Sequence, residues 1–213
     1  MKKYIFLFIL IVCIFFPLFS QVNISDDHQN IITYINIDNI CNIESQEYLF
    51  FYNVEILNFQ NIIKAENLEE LVIIRCTFEN IESITNLTKL KKLTITHCFL
   101  SSINFLTLMN SIEELDISNN NINDINSLSE LINLKVLVLA NNNIKEIYPL
   151  NLLNRLVHLN LSRNDICDIS PLIYLNNLMF LDISWNKITD FSVINNLNNI
   201  VLFYIYGNEG IDL

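Results

Sequence analysis

An apolar pattern recurs every 22 residues along most of the chain, without an insertion. In the unit that begins at Ile112, apolar residues or Asn occupy positions 1, 4, 6, 9, 11, 14, 17 and 20, and the next three units repeat all of these positions. The units begin at Gln46, Leu68, Leu90, Ile112, Leu134, Leu156, Leu178 and Ile200. A fixed period of this length predicts a stack of similar units that bury one continuous core.

Each unit combines two apolar spacings. Positions 4 and 6 alternate with polar residues, which indicates a short strand whose apolar side chains face inward. The later apolar positions recur every three residues, which favours a return segment of 3₁₀ or irregular turns. Because one unit cannot bury this surface alone, we expect the units to stack into a parallel sheet with rungs about 4.8 Å apart.

Position 9 carries a small polar residue in all units but the first, where Val54 stands. An inward carboxamide at this position can hydrogen-bond to backbone groups of neighbouring turns that would otherwise be buried unpaired. The predicted ladder consists of Cys76, Cys98, Asn120, Asn142, Asn164, Asn186 and Asn208. We expect its two cysteines to be buried thiols, since in-register parallel strands suit a disulfide poorly and no cysteine pair has zinc-ligand spacing.

The turns must be made largely without glycine. The chain has only two glycines and three prolines, whereas asparagine occurs 34 times. Asparagine tolerates left-handed backbone angles, so it is expected to supply the turn conformations. In the last unit, Gly207, Asn208, Glu209 and Gly210 are expected to distort the turn.

The pattern LxxLxLxxNxIxxIxxLxxL resembles the leucine-rich-repeat family, in the 22-residue class of bacterial internalins and of a regulatory subunit of protein phosphatase 1. The resemblance covers Gln46 to Leu213. It implies an α/β solenoid, a leucine-rich-repeat horseshoe with a parallel concave β-sheet and short 3₁₀ or irregular convex segments. It also implies that partners bind the concave face through positions 3, 5, 7 and 8. The family hosts many unrelated partners, so it names no ligand.

Transferred by register, the concave positions give a candidate partner-binding set of aromatic and acidic side chains. Exposed aromatics often anchor interfaces, although aromatics at the first unit can equally be covered by a cap. We favour binding for Phe180 and Trp185. The full set is Phe50, Tyr52, Asp116, Phe180, Asp182, Trp185, Tyr204 and Tyr206.

The chain divides into three segments. Residues 1–20, with Lys2 and Lys3 before an apolar run, have the layout of a secretory signal, although Leu18 at the cleavage site also allows an uncleaved membrane anchor. Residues 21–45 form a polar segment and a cap in which Ile37, Ile40 and Ile43 keep the register. Residues 46–213 hold eight repeats, the last one truncated, whose final strand predicts self-association through its edge.

Charge and composition exclude other classes. A net charge of −11 with no extended basic cluster argues against nucleic-acid binding. His97 and His158 lie about three rungs apart, too far for joint catalysis, so we expect no enzymatic activity, cofactor or metal. The leading hypothesis is a secreted or surface protein that recognises a protein ligand. The alternatives are an intracellular scaffold or phosphatase-regulatory protein, and a self-assembling structural surface protein.

Overall fold

The computed structural model describes residues 23–24 and 33–209. The signal predicted at residues 1–20 lies outside this part of the chain, as do residues 210–213. The described strands are β1 Asn23–Ile24, β2 Thr33–Asn36, β3 Tyr48–Tyr52, β4 Glu55–Leu57, β5 Glu70–Ile74, β6 Thr77–Phe78, β7 Lys92–Thr96, β8 Glu114–Asp116, β9 Val136–Val138, β10 His158–Asn160, β11 Phe180–Asp182 and β12 Leu202–Tyr204.

The main sheet has eight strands, one from each repeat, in the order β3-β5-β7-β8-β9-β10-β11-β12. All neighbouring strands in it are parallel, and paired residues are one repeat apart, as in Leu115 opposite Leu137. The inward residues at positions 4 and 6 are buried in the central units, for example Leu115 and Ile117. The predicted parallel sheet is therefore confirmed.

Short 3₁₀ helices form the convex side. Their last turns close through bonds between residues three apart, such as Leu131 N–H to Leu128 O at 3.0 Å. This geometry matches the three-residue apolar spacing, which places Ile125, Leu128 and Leu131 on one buried face. The helices are Ile37–Asn39, Ile43–Ser45, Phe59–Lys64, Ile81–Asn86, Asn104–Leu108, Asn126–Glu130, Tyr148–Leu152, Ser170–Tyr174 and Ser192–Asn196.

The asparagine ladder is present as predicted. The Nδ2 of Asn142 donates to the carbonyl oxygens of Ile117 at 3.1 Å and Leu139 at 3.0 Å, and its Oδ1 accepts the Ile122 N–H at 3.0 Å. Each side chain thus bonds to its own turn and to the preceding one. The same contacts recur at Asn120, Asn164, Asn186 and Asn208.

Cys76 and Cys98 continue the ladder as reduced thiols, the first buried and the second partly buried. The Cys98 Sγ lies 3.7 Å from Ile73 O and 3.2 Å from Thr96 O, two of the carbonyl positions that asparagine engages in later units. Burial raises the pKa of Cys76 to about 11 and also raises the pKa of Cys98. Both cysteines are therefore free thiols in the ladder, as predicted, but only Cys76 is fully buried.

Position 8, just before the ladder residue, has a left-handed backbone in all units. Its φ angles lie between 54° and 73° at Asn53, Arg75, His97, Asn119, Asn141, Arg163, Trp185 and Gly207. Asparagine supplies the left-handed backbone at three of these positions, as expected. Arginine, histidine and tryptophan, which the expectation did not include, supply it at four others. Gly207 shares the common conformation, and Asn208 keeps its ladder bond to Ile188 N at 3.1 Å. The expected distortion of the last turn at residues 207–209 was therefore wrong.

In the segment predicted to be the N-terminal cap, Ile37, Ile40 and Ile43 are buried. A second, four-stranded sheet in the order β1-β2-β4-β6 lies beside it. Within it β2 runs parallel to β4, whereas β1 pairs antiparallel with β2. The sequence did not predict this sheet, and β1 lies in the segment predicted only to be polar.

Candidate protein-binding face

Positions 3, 5 and 8 present side chains on the concave face, but position 7 does so only in some units. Thr96, Ser118, Ser162 and Ser184 at position 7 are all buried. The expectation that position 7 lines the face was therefore wrong for these central units. In the first and last units the same position carries exposed tyrosines, Tyr52 and Tyr206.

The two candidate aspartates have structural contacts at position 5. The Asp182 Oδ1 accepts the Ser184 N–H at 2.9 Å and the Ser184 hydroxyl at 2.6 Å. The Asp116 Oδ1 likewise accepts the Ser118 N–H at 2.9 Å. Each carboxylate thus orders the turn after its strand, which explains why a small residue is buried at position 7. Asp116 lies on β8, three strands from β11, which carries Asp182.

Aromatic side chains of the last three units form one continuous group, the C-terminal aromatic cluster, made of His158, Phe180, Tyr204, Tyr206 and Trp185. The His158 and Phe180 rings stack in parallel with their centroids 4.0 Å apart. Phe180 contacts Tyr204 at 5.8 Å, Tyr204 contacts Tyr206 at 6.4 Å, and Tyr206 meets the edge of Trp185 at 6.0 Å. The structure therefore brings together four of the predicted aromatic residues.

Trp185 is held from both neighbouring rungs. The Arg163 guanidinium carbon lies 5.2 Å from its ring centroid, within the range of a cation–π contact. In the next rung, Gly207 approaches the indole so closely that a Cβ there would lie 2.7 Å from Trp185 Cδ2. The side chain nevertheless remains 48% exposed. It is therefore both fixed in place and accessible to a partner.

The predicted residues of the first unit form a separate pair at the opposite end of the sheet. Phe50 and Tyr52 have centroids 6.4 Å apart and nearly parallel ring planes, and the Arg75 Nη1 donates to Tyr52 Oη at 3.4 Å. Tyr52 is 40% exposed. The eight predicted residues therefore do not make one site, and only those of the last two units gather around the cluster.

His158 and Arg163 belong to this surface, and the sequence prediction omitted both. The register contained the necessary signal, because His158 and Phe180 share position 3 in consecutive units, and Arg163 and Trp185 share position 8. Burial lowers the pKa of His158, and the negative charge of Asp182 partly counteracts this shift. His158 therefore favours the neutral form and stacks on Phe180 as an uncharged ring.

Residues 23–24 and 33–209 contain no group of three or more His, Cys, Asp or Glu side chains placed to hold a metal ion. Within the same ranges, no helix has the length and apolar character needed to cross a membrane.

Known proteins resemble this chain in two ways, by the sequence of its repeats and by its fold. A family profile described as "Leucine Rich repeats (2 copies)" matches residues 132–174. No curated protein matches the chain in sequence. An internalin (inlF) of Listeria monocytogenes is 28% identical with a TM-score of 0.72, over 76% of this chain and 48% of that one. This chain thus spans about half the length of that internalin.

Two further structures extend the comparison. Internalin C2 of Listeria monocytogenes is 29% identical with a TM-score of 0.76, over 80% of this chain and 76% of that one. A leucine-rich-repeat protein of Leptospira interrogans is 21% identical with a TM-score of 0.63, over 73% and 50% of the two chains, and shows the fold alone. The profile match and the likeness to the two internalins support a role in protein–protein interaction in general.

Proposed function

We propose that this chain, which is a leucine-rich-repeat protein, binds a protein ligand through the concave face of its last three repeats. The observation that carries the proposal is the C-terminal aromatic cluster, whose rings contact one another across three rungs. Aromatic and arginine side chains are the residue types that most often dominate binding energy at interfaces.

The rigidity of the cluster adds to this argument. Each ring is placed by a strand or turn of a sheet whose register is fixed, and Trp185 is further held by Arg163 and Gly207. Side chains that are already ordered lose little conformational freedom when a partner binds. Trp185, Tyr204 and Tyr206 are each at least 40% exposed, so apolar area remains for a partner to cover.

The test of this function compares two double variants of the full chain. Phe180→Ala/Trp185→Ala removes two anchors from the cluster, whereas Tyr148→Ala/Tyr174→Ala removes two exposed aromatics from the convex helices, where the side chains are 69% and 62% exposed. A ligand captured by the unmodified chain is identified, purified and titrated against all three proteins. We expect the first variant to bind at least about tenfold more weakly and the second to bind unchanged. Undiminished binding by the first variant would exclude this face.

We also propose that the protein works outside the cytoplasm. This part rests on residues 1–20 of the sequence, where two lysines precede an apolar run. N-terminal sequencing of the protein from fractionated cells tests it, with a start near residue 21 expected outside the cytosol. A cytosolic chain that still begins at Met1 would instead favour the scaffold or phosphatase-regulatory alternative.

Self-assembly is a second candidate role. Among the described strands, β12 ends the main sheet, and its neighbour Val201 and its first residue Leu202 are 69% and 51% exposed. An uncovered apolar edge favours pairing with another chain. Light scattering of the full chain tests this role. A concentration-dependent dimer that Leu202→Lys converts to a monomer is expected, and a monomer at all concentrations would exclude it.

A further inference from the structure

A second candidate surface lies on the flank of the solenoid, at positions 22 and 2, where the chain enters each strand. In the first five units position 2 is charged, at Glu47, Glu69, Lys91, Glu113 and Lys135. In the last three units it is apolar instead, at Val157, Met179 and Val201. These three side chains lie in a shallow groove of about 810 Å³ that also borders Lys135, Arg155 and Asn177, and we name it the flank groove.

The apolar side of the flank groove faces solvent. Val157, Met179 and Val201 are 38%, 48% and 69% exposed and occupy consecutive rungs of the sheet. From Lys135 to Val201 the groove crosses three rung spacings, on the order of 14 Å, which is the length of about four residues of an extended chain. Its dimensions therefore suit a short extended peptide segment.

The charges at the groove are positive although the chain as a whole is acidic. Among the residues that the structure describes, no Asp or Glu lines the groove, and the two ionised side chains that line it are Lys135 and Arg155. Lys135 pairs with Glu113 at 2.6 Å, outside the groove. The Arg155 Nη1 donates to the neutral Asn133 Oδ1 at 2.9 Å, and the nearby Glu113 carboxylate attracts Arg155 without forming an ion pair with it, since Glu113 pairs with Lys135. Arg155 is therefore available to a carboxylate of a partner.

Amide groups run beside the apolar residues. The Asn177 Nδ2 donates to Asn154 O and the Asn199 Nδ2 donates to Asn176 O, both at 2.7 Å, so each side chain is ordered by the preceding rung. No donor in the described part of the chain reaches their Oδ1 atoms. These oxygens are available to accept backbone N–H groups of a bound segment.

We propose that the flank groove binds an extended segment of a partner protein that combines apolar side chains with an Asp or Glu carboxylate, the carboxylate pairing with Arg155. The apolar side chains cover Val157, Met179 and Val201, and the backbone bonds to the neighbouring amides. Binding at the flank groove involves the flank residues alone and does not depend on binding at the C-terminal aromatic cluster.

The experiment selects peptides from a displayed random-sequence library on the full chain and measures their affinities for charge variants. Enriched peptides are expected to hold apolar residues and at least one Asp or Glu. Arg155→Glu should weaken their binding at least about tenfold. Replacing the peptide carboxylate by Lys should restore binding to Arg155→Glu, which a merely structural role of Arg155 would not produce.

The chain offers a matched control in Lys89. This residue also occupies position 22, and its Nζ donates to Asn67 Oδ1 at 2.6 Å, as Arg155 does to Asn133. Lys89→Glu changes the net charge equally but lies three rungs from Arg155 and does not line the groove, so it should leave binding unchanged. Met179→Asp tests the apolar side and should weaken binding, while Trp185→Ala should not.

Several results would overturn the proposal. In the selection, enrichment of basic peptides or no enrichment at all would contradict it. Among the variants, the contradicting results are peptides that bind Arg155→Glu as tightly as the unmodified chain, and binding that is lost with Trp185→Ala but not with Met179→Asp. Sedimentation with phosphatidylglycerol vesicles forms a separate arm. If the chain selects no peptide but binds these vesicles through Arg155, the groove recognises lipid headgroups and the proposed protein segment is wrong.

Discussion

The indole of Trp185 lies directly against the Cα of Gly207, the residue one repeat later in the same column of the solenoid. A Cβ on Gly207 would come within 2.7 Å of both Cδ2 and Cε3 of Trp185, closer than a Cβ approaches ring carbons in folded proteins. Gly207 also has a φ of +73°, where a side chain adds strain. The absence of a side chain at Gly207 is therefore what allows the Trp185 ring to lie flat on the next rung.

Gly207→Ala should displace the Trp185 ring and destabilise the last repeat. The left-handed backbone costs an L-residue about 1–2 kcal/mol, and the clash with the ring adds to this. Since Trp185 is the only tryptophan in the chain, its fluorescence emission reports the displacement directly. Combining Gly207→Ala with Trp185→Phe provides the control, because the smaller ring should relieve part of the cost. A fluorescence spectrum unchanged by Gly207→Ala would contradict the packing described.

Asn142→Ala should destabilise the fold by about 3 kcal/mol, whereas Asn143→Ala should have almost no effect. Asn142 is buried and bonds to Ile117 O, Leu139 O and Ile122 N, so alanine leaves buried backbone groups unpaired. Asn143 is exposed and has no side-chain hydrogen bond within the described residues. Equilibrium unfolding in urea measures both differences. Equal losses for the two variants would show that the ladder bonds add little stability.

Much of the fold was predictable because the same physical requirement recurs in all units. Burial of Leu115 on β8 and of Ile117 directly after it fixes a period of two, and the apolar spacing at Ile125, Leu128 and Leu131 fixes the 3₁₀ return. The left-handed backbone at Trp185 was not predictable from its residue type, since it follows from the stacking of turns above and below. Tertiary packing overrides local preference at that position.

The candidate site was predictable only in part. The aromatic residues of the last units could be recognised by residue type alone. His158 and Arg163 belong to the site only because they contact Phe180 and Trp185 on the next rung. Asp116 looked equivalent to Asp182, yet it lies three strands away. Comparing the same register position between consecutive units, rather than choosing residue types, would have found the two missing residues and separated the two aspartates.

The ladder cysteines should react with thiol reagents far more slowly than Cys167, which is exposed. Cys76 is buried with a pKa raised to about 11, so only about one in a thousand of its side chains is a thiolate at pH 8. Peptide-resolved alkylation at pH 8 measures each rate. In urea the rates for Cys76, Cys98 and Cys167 should converge. Similar native rates at Cys76 and Cys167 would contradict the buried position of the first.

His158 should titrate below the ordinary histidine pKa of about 6.5, and removing the charge of Asp182 should lower it further. Burial beside Phe180 opposes the imidazolium, while the Asp182 carboxylate favours it. Asp182→Asn keeps an oxygen that can accept the Ser184 N–H, so the turn is preserved and only the charge is lost. NMR titration of the His158 imidazole signal in the unmodified chain and in Asp182→Asn measures both shifts.

The lowered pKa of His158 also makes stability depend on pH. In the unfolded chain the pKa of His158 is about 6.5, so as the pH falls the unfolded chain binds the proton first. The contribution of His158 to the free energy of unfolding therefore decreases until the pH reaches the lower pKa that His158 has in the folded chain. Above this window both states are neutral and His158 contributes no pH dependence. In His158→Gln the free energy of unfolding should therefore decrease less as the pH falls below about 6.5. Near pH 8 its dependence on pH should equal that of the unmodified chain. A steeper loss of stability in acid for His158→Gln would mean that the imidazolium is stabilised in the folded state, and that the Asp182 charge outweighs burial.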